Sequence, residues 1–396
     1  MEANSQTCHM RQKKELCAET FVFPLVLIGF MWLLVSRMGL ANTINTMMNT
    51  AYSLLMDTVL YLTAICVIMG AVSSLLSEFG FVALANRILQ PLMRPLYGLP
   101  GAAALGVVTT FLSDNPAILA LADDQRFQRY FKQYQFPALC NLGTAFGMGL
   151  IVCTYMLGLS NVLTGPLPLA VAVGFLGAVI GSVISTRLML GFTRKIFGTE
   201  ARLHQGEGDT SEVPENMRIV REGSVCNRVM AALLEGGHNG VKMGVSIVPG
   251  VLIICTVVML LINGPSADGT YTGGAYEGIR LLPVIAEKLD FLLGPLFGFS
   301  SPEAIAVPVT ALGAAGASLG LVSTLASEGL VNAGDIAVFT SMCMCFSGYL
   351  STHASMMDSL NCKSLIGKAI ISHTIGGLCA GVAAHWIFIL LASLLG

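Results

Sequence analysis

The chain has 396 residues, of which 54% are hydrophobic and 11% are charged, and its formal net charge is -2. Several windows of about 20 residues carry no charge and are long enough to cross roughly 30 Å of hydrocarbon, so the composition indicates a membrane protein. There is no basic stripe or aromatic stacking platform, and we expect no nucleic acid partner. The eleven cysteines are scattered and lie mostly in apolar stretches, as small buried hydrophobic residues do, rather than forming a secreted disulfide framework.

The predicted elements begin with an apolar run from Phe21 to Val35 after a basic tail. We interpret this run as an uncleaved first helix rather than a signal peptide, because no convincing small-x-small cleavage site follows it. Membrane helices are predicted at 21–40, 51–76, 134–158, 167–193, 229–263 (with a bend at Pro249-Gly250), 334–358 and 366–395. Interfacial helices are predicted at 79–94 and 277–293, and broken, re-entrant segments at 98–122 and 298–325.

Two halves of the chain share this order of elements. Pro95-Leu-Tyr-Gly98 opens the first broken segment, and Pro295-Leu-Phe-Gly298 opens the second. A Gly/Pro-interrupted apolar segment at corresponding positions of both halves points to a transporter-type substrate site. The predicted divisions are the tail with the first helix (1–45), the first repeat (46–195), a polar cytoplasmic loop (196–228) and the second repeat (229–396).

The distribution of lysine and arginine predicts how the chain is oriented. Basic residues concentrate in the N-terminal tail and in 87–132, 187–242 and 363–368, which we place in the cytoplasm together with the N-terminus. The chain then enters the two repeats from opposite sides of the membrane. We therefore predict an all-α polytopic membrane protein built from two inverted repeats.

The first broken segment carries the most polar sequence at membrane depth, Ser113-Asp114-Asn115-Pro116. Irregular backbone is tolerated there only where it is buried in protein or lines a wet cavity. An ionisable residue inside the membrane is a functional-site hypothesis, and Asp114 can take a cation or a proton, or accept a hydrogen bond from a substrate. Asp114 can also cap a helix that begins at Pro116. Both interpretations remain open on the sequence.

Further polar residues extend the predicted site into the second half. Glu303 either stabilises the first turn of a half-helix or faces the cavity opposite Asp114. Asn141 and Thr144 are three residues apart and share a helix face. We predict a substrate site formed by residues of both broken segments and of the helix after the first: Thr110, Ser113, Asp114, Asn115, Asn141, Thr144, Glu303, Thr310 and Ser318.

Histidine and cysteine residues of the second half give weaker signals. His353 and Asp358 are five residues apart, which disfavours a direct pair, and we expect a structural or interfacial role for His353. Cys343 and Cys345 lack the spacing of a zinc site, so we predict no metal site. A soft-metal path lined by Met342 to Cys345 stays open as an alternative. We predict neither a cofactor nor an enzyme, because no Walker A, Rossmann, His-Glu-x-x-His or Gly-x-Ser-x-Gly motif occurs.

Three parts of the chain resemble the nucleoside-recognition, or Gate, domain. They are the two Pro-Leu-(Tyr/Phe)-Gly segments, each with the Pro/Ala-rich stretch after it, and the glycine-rich helix from about Leu234 to Leu261. That domain occurs in concentrative nucleoside transporters, in the membrane part of ferrous iron transporters and in spore-maturation membrane proteins. The resemblance covers about 50–160 and 230–360. It implies inverted repeats, hairpins and a midplane site. No GTPase domain accompanies it, and the sodium- and nucleoside-binding residues of the transporters cannot be matched one by one.

The sequence therefore predicts a multi-pass protein of the cell membrane, in contact with lipid, that acts as a secondary transporter of a small polar solute. The solute is nucleoside-like or another metabolite, and H⁺ or Na⁺ are the candidate coupling ions. A homo-oligomer is compatible with the sequence. The alternative functions are a non-transporting Gate-domain scaffold or signalling subunit, and an ion or metal permease.

Overall fold

The computed structural model describes residues 17–115, 117–122, 125–128, 130–201, 221–266 and 268–395. Among these residues, six helices are long and apolar enough to cross a membrane: Ala18–Met38, Leu40–Glu78, Ala138–Asn161, Leu167–Phe197, Val225–Ile262 and Lys363–Leu394. The predicted all-α polytopic membrane fold is confirmed. The polar loop predicted at 196–228 lies largely outside the described residues, since 202–220 are not among them.

The first half contains nine described helices. They are α1 (Ala18–Met38), α2 (Leu40–Glu78), α3 (Phe81–Leu92), α4 (Ala103–Leu112), α5 (Ala117–Ala122), α6 (Gln125–Gln128), α7 (Ala138–Thr144), α8 (Gly149–Gly158) and α9 (Leu167–Phe197). Helices α4 and α5 form the first hairpin, at the position predicted for the first broken segment. Helix α3 corresponds to the predicted interfacial helix, and none of its residues is buried.

The second half repeats this order, without counterparts of α1 and α6. Its helices are α10 (Val225–Ile262), α11 (Leu281–Phe297), α12 (Ala306–Ala311), α13 (Ala315–Ser327), α14 (Ala333–Phe346), α15 (Tyr349–Ser359) and α16 (Ile366–Leu395). A 3₁₀ turn at Pro302–Ile305 leads into α12. Helices α12 and α13 form the second hairpin.

Equivalent helices of the two halves pack against each other along glycine contacts. On α2 and α10, a Cβ atom on Gly70 would lie 2.4 Å from the carbonyl oxygen of Gly236, and one on Gly244 would lie 2.6 Å from the side chain of Thr63. Residue numbers rise along one helix as they fall along the other, so the two helices are antiparallel. The absence of a side chain is what allows the backbones to approach this closely.

Helices α9 and α16 form a second pair of the same kind. A Cβ atom on Gly177 would lie 2.7 Å from the carbonyl oxygen of Ala380, and one on Gly181 would lie 2.5 Å from that of Gly376. This pair is also antiparallel. Antiparallel packing of equivalent helices is the arrangement that an inverted repeat predicts, because its twofold axis lies in the membrane plane.

Two predicted continuous helices are broken in the structure. The helix predicted at 134–158 divides into α7 and α8, and Met148 between them has φ 55°. The helix predicted at 334–358 divides into α14 and α15, where Ser347 has φ 39° and Gly348 has φ 69°. Left-handed backbone cannot continue a right-handed helix, so each break interrupts the i to i−4 hydrogen bonds and leaves polar backbone groups for other partners.

Other boundaries differ less. Helix α2 begins at Leu40 rather than at the predicted residue 51. Gly39, with φ 80°, alone interrupts the helical backbone between α1 and α2. The predicted bend at Pro249-Gly250 corresponds to a π-helical segment, Gly250–Cys255, inside α10. Helix α2 carries a similar segment, Leu54–Val59. Proline removes one backbone donor, which explains the irregular hydrogen bonding after Pro249.

Candidate functional site

A cavity of about 660 Å³ lies between α2, α10 and the first hairpin. One end is lined by Glu78, Arg221 and Glu235, and the wall continues along α2 as far as Cys66. Cys66 and Glu78 are twelve residues apart, which is about 18 Å along a helix axis. Leu112 and Ser113 also line the cavity, so it connects the charged end to the break of the first hairpin.

The charged end is held by ion pairs that join α2 to the start of α10. The Glu78 carboxylate accepts hydrogen bonds from Arg221 Nη1 at 2.5 Å and from Arg228 Nε at 2.7 Å. Arg221 Nη2 donates to Glu235 at 2.5 Å. Glu78 is 8% exposed. Arg221 and Arg228 compensate the negative charge of Glu78 at the membrane boundary that the sequence predicts to face the cytoplasm.

Asp114 follows the end of α4, where Ser113, with φ -133° and ψ -113°, leaves the helical conformation and ends the helix. Its carboxylate accepts the backbone N–H of Asn115 at 2.7 Å. The first amide of α5, from Ala117, donates to the carbonyl oxygen of Asp114 at 2.9 Å rather than to its side chain. Among the described contacts, the carboxylate therefore receives no amide of α5, and it is partly exposed.

Asn115 is buried, at 2% exposure, and connects three breaks in the fold. Its Nδ2 donates to the carbonyl oxygen of Ser347 at 2.9 Å, and Ser347 Oγ donates to the carbonyl oxygen of Gly147 at 3.3 Å. A Cβ atom on Gly147 would lie 1.4 Å from Asn115 Oδ1. That oxygen has no hydrogen-bond partner among the described residues. The first hairpin, the α7/α8 break and the α14/α15 break thus meet at one point.

The second hairpin also contacts the break between α14 and α15. Gly348 donates its N–H to the carbonyl oxygen of Ala311, at the end of α12, at 2.9 Å. A Cβ atom on Gly348 would lie 3.0 Å from the carbonyl oxygen of Gly313. The Ser347-Gly348 break therefore contacts both hairpins, Asn115 of the first and Ala311 of the second.

Three further predicted site residues have local hydrogen bonds. Thr110 Oγ1 donates to the carbonyl oxygen of Gly106 at 2.8 Å, and Thr144 Oγ1 to that of Cys140 at 2.9 Å. Ser318 Oγ donates to its own helix and lies 3.2 Å from Cys343 Sγ. The fourth, Thr310, is buried, and its Oγ1 has no partner among the described residues.

Asn141 and Glu303 lie in other environments. Asn141 Nδ2 donates to Ser185 Oγ at 2.9 Å and to the carbonyl oxygen of Ala369 at 3.0 Å, between α7, α9 and α16. Glu303 lies in the 3₁₀ turn before α12 and accepts from Arg280 at 3.1 Å, at the predicted outer side. Of the predicted set, the structure brings together Ser113, Asp114 and Asn115 around one break.

The sequence interpretation did not include two features of this region. The Ser347-Gly348 break lies in what reads as a continuous apolar helix, and the only signal was the Phe346-Ser347-Gly348 stretch itself. Glu78 ends an apolar run, so its pairing with two arginines more than 140 residues away has no local signal.

Comparisons with known proteins agree with this architecture. Residues 59–158 match the family model Gate, described as nucleoside recognition. No curated protein matches the chain significantly. Among solved structures, a double variant of the transporter CNTnw in an outward-facing state is similar at 12% identity with a TM-score of 0.52, over 84% of this chain and 76% of that one. A single variant of CNTnw in an intermediate state gives 13% identity and a TM-score of 0.51, over 92% and 84%.

These similarities bear on fold and on domain. At 12–13% identity, the likeness to CNTnw shows the fold alone. Helix α8 and the second half of α2 lie within the matched range, together with the whole first hairpin. The sequence-based resemblance to Gate-domain membrane proteins is confirmed, with residues 59–158 matching the nucleoside-recognition model and the chain adopting the fold of CNTnw.

Proposed function

We propose that the protein is a secondary transporter of a small polar solute, driven by H⁺ or Na⁺ across the cell membrane. The solute binds where the first hairpin breaks, at Ser113, Asp114 and Asn115. One observation carries the proposal: a cavity of about 660 Å³ runs from the Glu78 end to Ser113, the residue directly before Asp114 and Asn115 at the break of the first hairpin. Nucleosides are the first class to test, because the matching family model describes nucleoside recognition.

The size and lining of the cavity support a polar metabolite. Small-molecule sites usually have volumes of about 300–1,000 Å³. Ser73, Ser74 and Ser77 of α2 and Asn239 of α10 supply hydroxyl and amide groups to the wall. These groups suit a solute with several hydroxyl or amide groups of its own better than an apolar one.

Asp114 and Asn115 directly follow Ser113, which lines the inner end of the cavity, and we assign the recognition groups to them. The partly exposed Asp114 carboxylate can accept from a hydroxyl or amine of the solute, or hold a cation. Asn115 Oδ1 is a buried acceptor without a described partner. Leaving such an atom unpaired costs about 1–3 kcal/mol, so a donor supplied by the solute or by a water molecule would recover that energy.

The proposal is tested by uptake into proteoliposomes that contain the full chain, with tritiated uridine and tritiated adenosine as the first probes. Wild type is compared with Ser113→Phe, which places a bulky side chain in the cavity, and with Ser36→Phe, an exposed position on α1. We expect uptake of at least one probe, a loss of ten-fold or more in Ser113→Phe, and wild-type uptake in Ser36→Phe.

The same samples are screened by thermal shift against nucleosides, nucleobases and amino acids, so that a solute of another class is detected. Absence of both uptake and stabilisation across these classes would contradict transport of a small polar solute and favour a scaffold. Equal uptake in Ser113→Phe and wild type would contradict the location of the site.

A further inference from the structure

Two histidines of the second half lie side by side in a buried cluster that the proposed solute site does not use. His353 of α15 and His373 of α16 are both 0% exposed, and their ring centroids are 4.6 Å apart. Tyr349 packs against both rings, with centroid distances of 5.4 Å to His353 and 5.1 Å to His373. The sequence predicts a structural or interfacial role for His353, and the structure places it in a buried pair rather than at an interface.

The hydrogen bonds of His373 determine where its proton lies. His373 Nε2 is 2.5 Å from the carbonyl oxygen of Cys345, which can only accept, so Nε2 carries the hydrogen. Nδ1 of the neutral ring then accepts from Ser185 Oγ at 2.9 Å, while Ser185 Oγ itself accepts from Asn141 Nδ2 at 2.9 Å. Both nitrogens of the His373 ring are thus used in the neutral form, and a second proton, on Nδ1, would remove the acceptor of the Ser185 hydroxyl hydrogen.

His353 is the opposite case. Neither of its ring nitrogens has a hydrogen-bond partner among the described residues, although a neutral imidazole offers one donor and one acceptor. The backbone of Tyr349, one turn earlier, is close enough to interact with a proton on the ring, although neither ring nitrogen of His353 meets hydrogen-bond geometry. Buried polar groups without partners are costly, so this packing stores a penalty that hydration of His353 would relieve.

The charged and titratable groups around the pair leave His353 without a described counter-ion. The elements packed against α15 contribute Cys140 of α7, His373 and Lys368 of α16, and Cys362 and Lys363 of the turn between α15 and α16. On α15 itself, Asp358 pairs with Lys363 at 2.8 Å. The closed cluster therefore favours neutral His353, because a buried charge without a partner is costly.

The cluster is connected to the Asn115 site by the break between α14 and α15. Ser347 and Gly348, both in left-handed backbone, lie directly before α15 and contact both hairpins. Further along α15, Met356 Sδ lies 3.7 Å from Thr144 Oγ1 of α7. A rotation of α15 about Ser347-Gly348 would move His353 and would turn the peptide group whose oxygen accepts from Asn115.

We propose that His353 is the proton-binding residue of this protein and that His373 positions it. Opening of α15 about Ser347-Gly348 hydrates His353, which then takes up one proton; closing of α15 releases that proton. This assignment rests on the proposed transport function and deepens it by naming H⁺ as the coupling ion. His373 stays neutral throughout, since its two nitrogens keep their bonds to Ser185 and Cys345.

The test measures proton-linked opening without any solute. Hydrogen–deuterium exchange of peptides covering 347–359 is followed on the full chain in lipid nanodiscs between pH 8 and pH 5 and corrected for intrinsic exchange. A histidine that protonates only in the open state, with the ordinary pKa of about 6.5, raises exchange at pH 5 by up to about thirty-fold over pH 8. His353→Gln should abolish this rise, and His238→Gln, at an exposed histidine of α10, should retain it.

The variant His373→Gln distinguishes the role of His373 from that of His353. We expect faster exchange at every pH with the pH-dependent rise retained, because His353 is still present. Exchange that is pH-independent in wild type, or a rise that His373→Gln abolishes and His353→Gln retains, would overturn the proposal. His353→Leu provides a second neutral variant if His353→Gln fails to fold. An exchange rate of 347–359 that changes when choline chloride is replaced by NaCl, and does not change with pH, would also overturn the proposal. Uptake of a solute by a chain without proton-linked exchange leaves transport intact and removes only this assignment.

Discussion

Asn115 donates its Nδ2 hydrogen to the carbonyl oxygen of Ser347 at 2.9 Å, and this bond joins residues 232 positions apart in the two halves of the chain. The carbonyl is free to accept because Ser347, with φ 39°, ends α14 in left-handed backbone. In a continuous helix the same oxygen would accept from the amide four residues later. The break in the second half thus provides the acceptor for the polar side chain of the first.

The first prediction concerns that bond. Asn115→Ala removes the donor and leaves the buried Ser347 carbonyl oxygen unpaired, so we expect a loss of about 1–3 kcal/mol in stability, seen as a lower thermal midpoint in detergent. Asn115→Gln keeps the amide but lengthens the side chain in a fully packed site, and it should not restore the midpoint. An unchanged midpoint in Asn115→Ala would show that the bond is not required.

A second prediction follows from the contact between Gly147 and Asn115. A Cβ atom at 147 would lie 1.4 Å from Asn115 Oδ1, so Gly147→Ala must displace Asn115 and should lower the thermal midpoint and solute uptake together. Gly191→Ala is the matched control, since a Cβ atom there meets nothing within 4 Å. Alanine in an exposed helix interior is favoured over glycine by roughly 0.5–1 kcal/mol, so the control should be as stable as wild type or more so.

Much of this fold could be predicted from sequence because its signals are local or repeated. Apolar length identified the spans, and α16 was predicted at 366–395, where the structure has Ile366–Leu395. The Pro-Leu-(Tyr/Phe)-Gly repeat located both hairpins. The breaks at Met148 and Ser347 were missed because a non-glycine residue takes the left-handed conformation at both positions, and the surrounding helix is apolar.

The candidate site was less predictable for a related reason. Asp114 and Asn115 stand out in an apolar stretch, and the sequence singled them out. Their partners could not be inferred, since Ser347 contributes a backbone carbonyl and Gly147 contributes only the space for Oδ1. Nothing in the sequence distinguishes Ser347 and Gly147 from the many other serines and glycines of the chain, because neither contributes to the Asn115 contacts through its side-chain chemistry.

The third prediction tests the orientation. A cysteine at Ser266, in the loop between α10 and α11, should react with a membrane-impermeant maleimide on intact cells. A cysteine at Ser211, which falls outside the described residues, should react only after permeabilisation. The basis is the concentration of lysine and arginine on the side of 187–242. The reverse labelling pattern would overturn the predicted topology and the inverted repeat that depends on it.

The fourth prediction concerns pH and the loop between α10 and α11. Burial raises the pKa of Glu277, but the Thr272 hydroxyl and the amides of Thr272 and Gly273 donate to its carboxylate at 2.6–3.1 Å and hold the pKa below its ordinary value of 4.5. The carboxylate therefore stabilises the loop above pH 4.5, and this stability is lost as pH falls through the lowered pKa.

Exchange of the loop amides should consequently accelerate, after correction for intrinsic rates, as pH falls below 4.5. Glu277→Gln keeps the side-chain shape without the charge and should exchange faster at neutral pH, with a flatter pH profile. The control is Glu200→Gln, an exposed carboxylate elsewhere in the chain. A pH profile that is the same in Glu277→Gln and wild type would contradict the role assigned to this carboxylate.

The last prediction separates a solute-binding Asp114 from one that only caps α5. Asp114→Asn keeps the shape and the capping ability, because asparagine is also a favoured N-cap residue, but it removes the charge. Asp114→Ala removes both. If Asp114 is a site residue, Asp114→Asn should retain the thermal midpoint of wild type while uptake falls at least ten-fold, since the charge is missing. If it is only a cap, Asp114→Asn should be nearly silent, and Asp114→Ala should cost roughly 0.5–2 kcal/mol of stability while remaining active.

The described contacts favour the first outcome, because the Asp114 carboxylate accepts the amide of Asn115 and none from α5. Thermal midpoint and uptake measured together on both variants decide between them, and an active but less stable Asp114→Ala would rule out the site assignment.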